Sequence, residues 1–145
     1  MENLSDQYLR LVIDQAPVSI AMFDREMRYV AFSTRWMKQY DLESQNLLGR
    51  SHYEVFPELP ERWKAVHQRG LAGEIIREEA DAFERGDGSI HYLRREVRPW
   101  RTAEGGIGGI IITTEDVTAR VVAERALKES QADLKRAQAI GRIGS

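Results

Sequence analysis

The stretch Gly105-Gly106-Ile107-Gly108-Gly109-Ile110-Ile111-Ile112-Thr113-Thr114-Glu115-Asp116-Val117-Thr118 is where the hydrophobic period of this chain changes. Gly105 to Gly109 reads as a turn, and Ile110 to Thr114, rich in β-branched residues, reads as a strand. Beyond Thr118 the apolar residues recur at helical spacing almost to the end of the chain. The last strand of a sheet thus hands over directly to a long polar helix, an arrangement suited to passing conformational change outward. The glycines do not read as a phosphate cradle, because such a loop follows a strand and opens a helix, whereas these lead into a strand.

Asp116 and Thr118 are acceptors at the start of that helix, and a carboxylate there also complements the helix dipole. They form the expected signal relay between sheet and helix, with Glu115 or Asp116 free to pair with Arg120 or a strand residue. From Thr118 to Ile140 the helix extends about 35 Å. Ala123, Leu127, Ser130, Leu134 and Ala137 follow one another at spacings of 4, 3, 4 and 3, a heptad seam. Two leucines among small residues make a weak zipper. The expectation is a homodimer whose helix pairing is supported by the domain and whose loose register suits a switch.

Upstream, Tyr8 to Gln15 reads as a short helix capped by Ser5 or Asp6 and ended by Pro17. Val18 to Met22 and Tyr29 to Phe32 alternate around the polar turn Asp24-Arg25-Glu26-Met27, which predicts a hairpin. Ser33 or Thr34 caps a helix with the stripe Trp36, Met37 and Tyr40. Asp41 to Gly49 reads as a brief helical turn, and Ser51 to Pro57 as another that buries Tyr53, Val55 and Phe56. Pro60 and Glu61 open a helix carrying Trp63, Val66, His67 and Leu71, which Gly73 stops. The chain is extended from Ile75, Arg85-Gly86-Asp87-Gly88 makes a tight turn, and Ile90 to Trp100 is a strand. Two strands, a helical block, three strands and a long helix predict an α+β fold: an antiparallel sheet with short helices on one face and a C-terminal output helix.

Composition bounds the function. The 145 residues are 42% hydrophobic with a formal charge of −2, enough for one domain with a core and an appendage. That charge offers no electrostatic footprint for nucleic acid. No apolar run approaches the roughly 18 residues a bilayer crossing needs, and residues 1–6 resemble no secretion signal. A soluble cytoplasmic location without membrane contact is expected. With no cysteine, disulfides, thiolate metal sites and a cysteine nucleophile are excluded.

The order of elements and several stretches together resemble the PAS domain family. They are Ala16-Pro17-Val18-Ser19-Ile20-Ala21-Met22-Phe23-Asp24, Leu48-Gly49-Arg50-Ser51, Glu54-Val55-Phe56-Pro57, Arg85-Gly86-Asp87-Gly88-Ser89 and Gly108 to Thr118, and they span about residues 6–120. The resemblance implies a five-stranded antiparallel sheet cupping short helices, with a small-molecule cavity between them. It also implies boundaries: a helical cap over 1–17, a sensor domain over 18–118, and a signalling helix or linker over 119–145. Many members carry Asn where Ser33 stands, and either residue caps a helix. Arg136 to Ser145 looks like the lead-in to a further PAS domain, implying a bacterial multidomain sensor such as a histidine kinase or diguanylate cyclase. No phosphoacceptor helix, ATP lobe or Gly-Gly-Asp/Glu-Glu-Phe loop occurs, so no enzyme activity is expected, and the output domain is the expected partner in the same longer chain.

The expected ligand-binding residues are Trp36, Tyr40, Tyr53, Trp63, His67, Leu93 and Arg95. Haem-binding members use an axial histidine from a helix comparable to that of His67, though in oxygen sensors it lies nearer Arg62. The alternative is a hydrogen-bonded core histidine. His52 and His91 have no partner at metal-ligand spacing, and no metal is expected. Cysteine-adduct flavin chemistry is excluded, which leaves noncovalent flavin stacked on Trp36 or Trp63 beside the reading of both as plain core. Alternation puts Leu93, Arg95 and Val97 on one face of their strand and Arg94, Glu96 and Arg98 on the other. A guanidinium carried inward needs a partner: the carboxylate of an organic ligand, an internal acid, or solvent at a sheet edge. Three readings remain side by side: a small-ligand sensor, a haem or flavin sensor, and a ligand-free dimerisation and spacing module whose interior Trp36, Met37, Tyr53 and Trp63 fill.

Overall fold

The computed structural model describes residues 4–144, without the side chains of Asp6 and residues 142–144. The elements in chain order are α1 (Leu4–Asp14), β1 (Ser19–Asp24), β2 (Tyr29–Phe32), α2 (Thr34–Gln39), α3 (His52–Val55), α4 (Glu61–Leu71), β3 (Ile76–Glu84), β4 (Ile90–Arg101), β5 (Ile107–Asp116) and α5 (Thr118–Gly144). The five strands form one antiparallel sheet in the order β2-β1-β5-β4-β3. The first and last strands of the domain therefore pair with each other, with Ala21 opposite Ile112 and Phe23 opposite Ile110. The chain divides into two compact units, one comprising residues up to Glu79 with Arg94–Glu115, the other Ala80–Leu93 with the residues from Asp116 onward.

In the first unit the core holds Phe23, Tyr29, Trp36, Leu47, Val97, Ile110 and Ile112. Full burial of each large apolar side chain contributes about 1.5–3 kcal/mol. Along β1 the deeply buried positions are Ser19, Ala21 and Phe23, while Ile20 and Met22 on the opposite face are only half-buried. Ser33 is wholly buried and fixes the entry to α2: its hydroxyl donates to Val18 O at 2.9 Å and accepts from Trp36 N at 3.2 Å and Ile20 N at 3.0 Å.

Several expectations need correction. Helix α1 begins at Leu4, so Ser5 lies inside the helix and is not its cap; Asp6, the other candidate, has its side chain outside the described residues. No helical turn forms over 41–49: Asp41 takes φ +56°, which ends α2 and sends the chain into successive turns. Strand β5 starts at Ile107, and its glycines belong to the sheet; the turn is confined to Thr102–Gly106. The reason is steric. A Cβ at Gly109 would lie 1.8 Å from Phe23 O, and one at Gly108 would lie 2.2 Å from the Trp100 ring. That ring lies over the strand and donates from Nε1 to Phe23 O at 2.8 Å.

In the second unit the β3–β4 hairpin turns as expected at Arg85 to Ser89, with Arg85 N–H donating to Ser89 O at 2.9 Å. Among the described residues no helix is long and apolar enough to cross a membrane. Gly109→Ala is expected to cost at least about 3 kcal/mol in denaturant unfolding, because backbone rather than a flexible side chain meets the added methyl group. A variant within 0.5 kcal/mol of the parent, to order of magnitude, would show that β1 and β5 are not in this close register.

Candidate functional site

Short helices α3 and α4 place two imidazoles in the interior of the first unit. Ser51 caps α3 by accepting from Tyr53 N at 3.2 Å, and this holds His52 in the first turn. Pro60 opens α4, and two turns on, His67 points inward. His52 is 5% exposed and His67 is 3% exposed. Their ring centroids are 5.5 Å apart. Each Nδ1 is hydrogen-bonded to a phenol at 3.0 Å, His52 to Tyr29 and His67 to Tyr53. His52 also packs against Phe23 at 4.8 Å, Phe56 at 5.1 Å and Trp36 at 6.3 Å between ring centroids.

The electrostatics follow from burial. Desolvation, then the neighbouring His67 and Arg95, hold the His52 pKa down at about 3. Desolvation and Arg95 bring His67 down to about 4. Burial pushes the Tyr29 phenol up, against a smaller opposing effect of the Trp36 indole. That indole N–H is itself buried and makes no hydrogen bond of ordinary geometry. At neutral pH the cluster is a set of uncharged hydrogen-bonding groups beside one fixed cation.

The expected ligand-binding residues fall into three neighbouring groups. Trp36 packs on Tyr40 with centroids 4.8 Å apart, and Tyr53 on His67 at 5.8 Å. Trp63 lies under Arg95, whose guanidinium carbon is 4.5 Å from the ring centroid, with Arg62 at 4.9 Å. Leu93 and Val97 are buried, while Arg94, Arg95 and Glu96 between them are all half-buried. The charged face pairs within the sheet: Glu96 meets Arg98 at 2.7 Å and Arg77 at 3.1 Å, and Glu79 meets Arg94 at 3.4 Å. A separate groove of about 420 Å³ lies between α1 and β2, lined by Arg10, Leu11, Ile13, Val30, Phe32 and Leu48 among others, and includes none of the expected residues.

In the second unit the root of α5 is joined to the start of β4. Asp116 Oδ1 accepts from Thr118 N at 2.9 Å, while Oδ2 meets His91 Nδ1 at 2.8 Å. Burial acts to raise the Asp116 pKa, but the hydrogen bonds from Thr118 and His91 outweigh it and hold the carboxyl below its ordinary value. Thr118 acts differently from a cap: its hydroxyl accepts from Tyr92 N at 2.9 Å, and Tyr92 O accepts from Val117 N at 2.8 Å. The Tyr92 hydroxyl accepts from Arg125 Nη1 at 2.7 Å, and the guanidinium lies 4.7 Å from the ring centroid. Further along α5, Ala123 is exposed, and Leu127 and Leu134 are 58% and 59% exposed.

Sequence reasoning missed His52, Tyr29, Tyr92 and Arg125. A four-residue helix has no period to reveal which side chain it buries, so nothing marked His52. Tyr92 acts mainly through its backbone, which carries no residue signature.

Comparison with known proteins agrees with the fold. The family described as PAS fold matches residues 13–122. No curated protein was found to match the sequence. Among solved structures, the PAS domain of Bordetella pertussis BvgS has a TM-score of 0.66 at 20% identity, over 90% of this chain and 99% of that one. An RNA-binding light-oxygen-voltage receptor gives 0.66 at 21% identity, over 93% and 38%. A Vibrio cholerae VqmA–ligand–DNA complex gives 0.63 at 19% identity, over 81% and 53%, so this chain spans about half the length of that relative. With two thirds of the chain and more inside the match, and the strand order to go with it, this chain belongs to the PAS family, whose members are in general sensory modules.

Proposed function

We propose that the chain is a non-enzymatic sensor module that receives a small ligand or a partner in its interior and relays the event through α5, as a dimeric helix, to an output domain. Residues 18–118 serve as the sensor, 1–17 as its cap and 119–145 as the signalling helix. The observation that carries this reading is the joint at Tyr92. One residue of β4 gives both its N–H and its C=O to the first two residues of the helix root. Arg95 lies three residues further along the same strand, so a shift of β4 on ligand binding bears directly on the residues that hold α5. The input we favour is a small organic anion drawn by Arg95, with Trp63, His67, Tyr53, Trp36 and Tyr40 around it and Leu93 alongside.

Two other readings keep specific support. The ring contacts among Trp36, Tyr40, His52 and Phe56 favour a spacing module with a filled interior. A buried His67 keeps a haem or flavin sensor open, although its Nδ1 already bonds Tyr53. Nucleic acid is not among the proposed partners: DNA and RNA belong to relatives that this chain covers by 53% and 38%, and the net charge here is −2. A cytoplasmic location and a bacterial histidine kinase or diguanylate cyclase as the larger context complete the proposal.

Native mass spectrometry followed by melting shifts with a panel of organic acids tests the input. A shift of several degrees that Arg95→Ala abolishes is expected, and a shift left intact by that change removes Arg95 as the anchor. Thr118→Val leaves the Tyr92 N–H without its acceptor and is expected to cost about 1–2 kcal/mol. In hydrogen exchange the loss of protection should begin at residues 117–121, and uniform loss would argue against a discrete joint. Leu127→Glu with Leu134→Glu should leave the domain folded but monomeric in sedimentation; a persisting dimer would exclude this seam as the main contact.

A further inference from the structure

We propose that the His52–His67 pair makes the interior an acid-operated latch, in which uptake of two protons releases α3 and α4 from the sheet. Both imidazoles are almost wholly buried, 5.5 Å apart, and tied to phenols instead of carboxylates. A buried imidazolium beside a carboxylate is stabilised by its partner's charge, whereas a phenol offers only a neutral acceptor. The groups facing the pair are Tyr29 from β2, Tyr53 from α3 itself and Arg95 from β4, while α2 contributes Trp36 and β1 contributes Phe23. Arg50 acts on Tyr29, and Glu61 acts on Tyr53, over whose ring Lys64 also lies. Among the described residues no carboxylate acts on either imidazole, and the full charge that does act, Arg95, is positive.

Of the two elements that carry the pair, α3 buries only His52, whereas α4 is also held by buried Trp63, Gly70 and Leu71, so α3 is the first to be freed when the pair ionises. Helix α3 is four residues long, and its packing is centred on His52. Helix α4 approaches the sheet closely at Gly70, where a Cβ would lie 2.8 Å from Val97 Cγ1. Because the two rings touch, the first proton raises the cost of the second within the closed form. An open form, with both imidazoles in water, takes up both.

The sign follows from the depressed folded values of about 3 and about 4 against an ordinary value of 6.5. Stability is full above pH 6.5 and is lost as pH falls toward those values, because the open form binds protons that the closed form refuses. The proposal goes beyond the relay reading and stands without it: the Thr118 and Leu127/Leu134 variants can fail while the latch holds.

The test uses the full chain in denaturant unfolding from pH 7.5 to 5.0, beside H52Q, H67Q and the double variant. Near pH 5 the folding constant of the parent should fall by up to about 100-fold per pH unit, each single variant by about 10-fold less steeply, and the double variant should lose this part of the slope. A double variant as acid-sensitive as the parent overturns the proposal. Should the variants not fold, hydrogen exchange of the parent, corrected for intrinsic rates, should accelerate first at residues 52–71 as the pH falls. Imidazole resonances for His52 and His67 that titrate near 6.5 in the folded protein, with no such acceleration, would equally overturn it.

Discussion

The close approach of β1, β5 and Trp100 is the constraint on which the remaining packing depends. β5 is the middle strand of the sheet, flanked by β1 and β4. It can pass beneath Trp100 and against the Phe23 carbonyl only because Gly108 and Gly109 lack side chains. The indole then uses its N–H on that same carbonyl, so a tight contact is also a satisfied polar one. With the register set there, Phe23 is driven inward opposite Ile110, and the rings of Tyr29, Trp36 and His52 arrange themselves around it.

That arrangement makes the interior aromatic but not apolar. Two phenols and two imidazoles lie in this interior, with the Tyr29 hydroxyl bonded to His52 Nδ1 and the Tyr53 hydroxyl to His67 Nδ1. Buried networks of this kind are sharply defined when fully satisfied and costly when one member changes charge state. Arg95, held over Trp63, adds a fixed positive charge without requiring the histidines to share it. An interior built this way is sensitive to whatever carries charge into it.

The polar joint at the other end of β4 follows a different logic. There the chain uses backbone groups of Tyr92, the Thr118 hydroxyl and the Asp116 carboxylate to begin a helix of 27 residues with little apolar support of its own. The reading of Asp116-Val117-Thr118 as the handover was available from residue types alone, since acceptors at a helix start have few other uses. The partners were not. His91 and Tyr92 lie 25 and 26 residues away in sequence, and it is the β4–β5 hairpin, turning at Thr102–Gly106, that brings them to the helix root.

Local chemistry in the chain determined the class of fold, the order of strands and helices, the Ser33 cap, the Asp87-Gly88 turn and the inward alternation of Leu93 and Val97. Each of these rests on periods of two or 3.6 residues, or on one residue's own backbone preference, and so is written in neighbouring positions. Tertiary structure alone decided that Gly108 and Gly109 belong to a strand, that Asp41 breaks the helical course before Gly49, and that His52 becomes the hub of the interior. Those outcomes depend on which distant surfaces meet. A glycine that permits a turn and a glycine that permits a close approach are the same letter until the partner arrives.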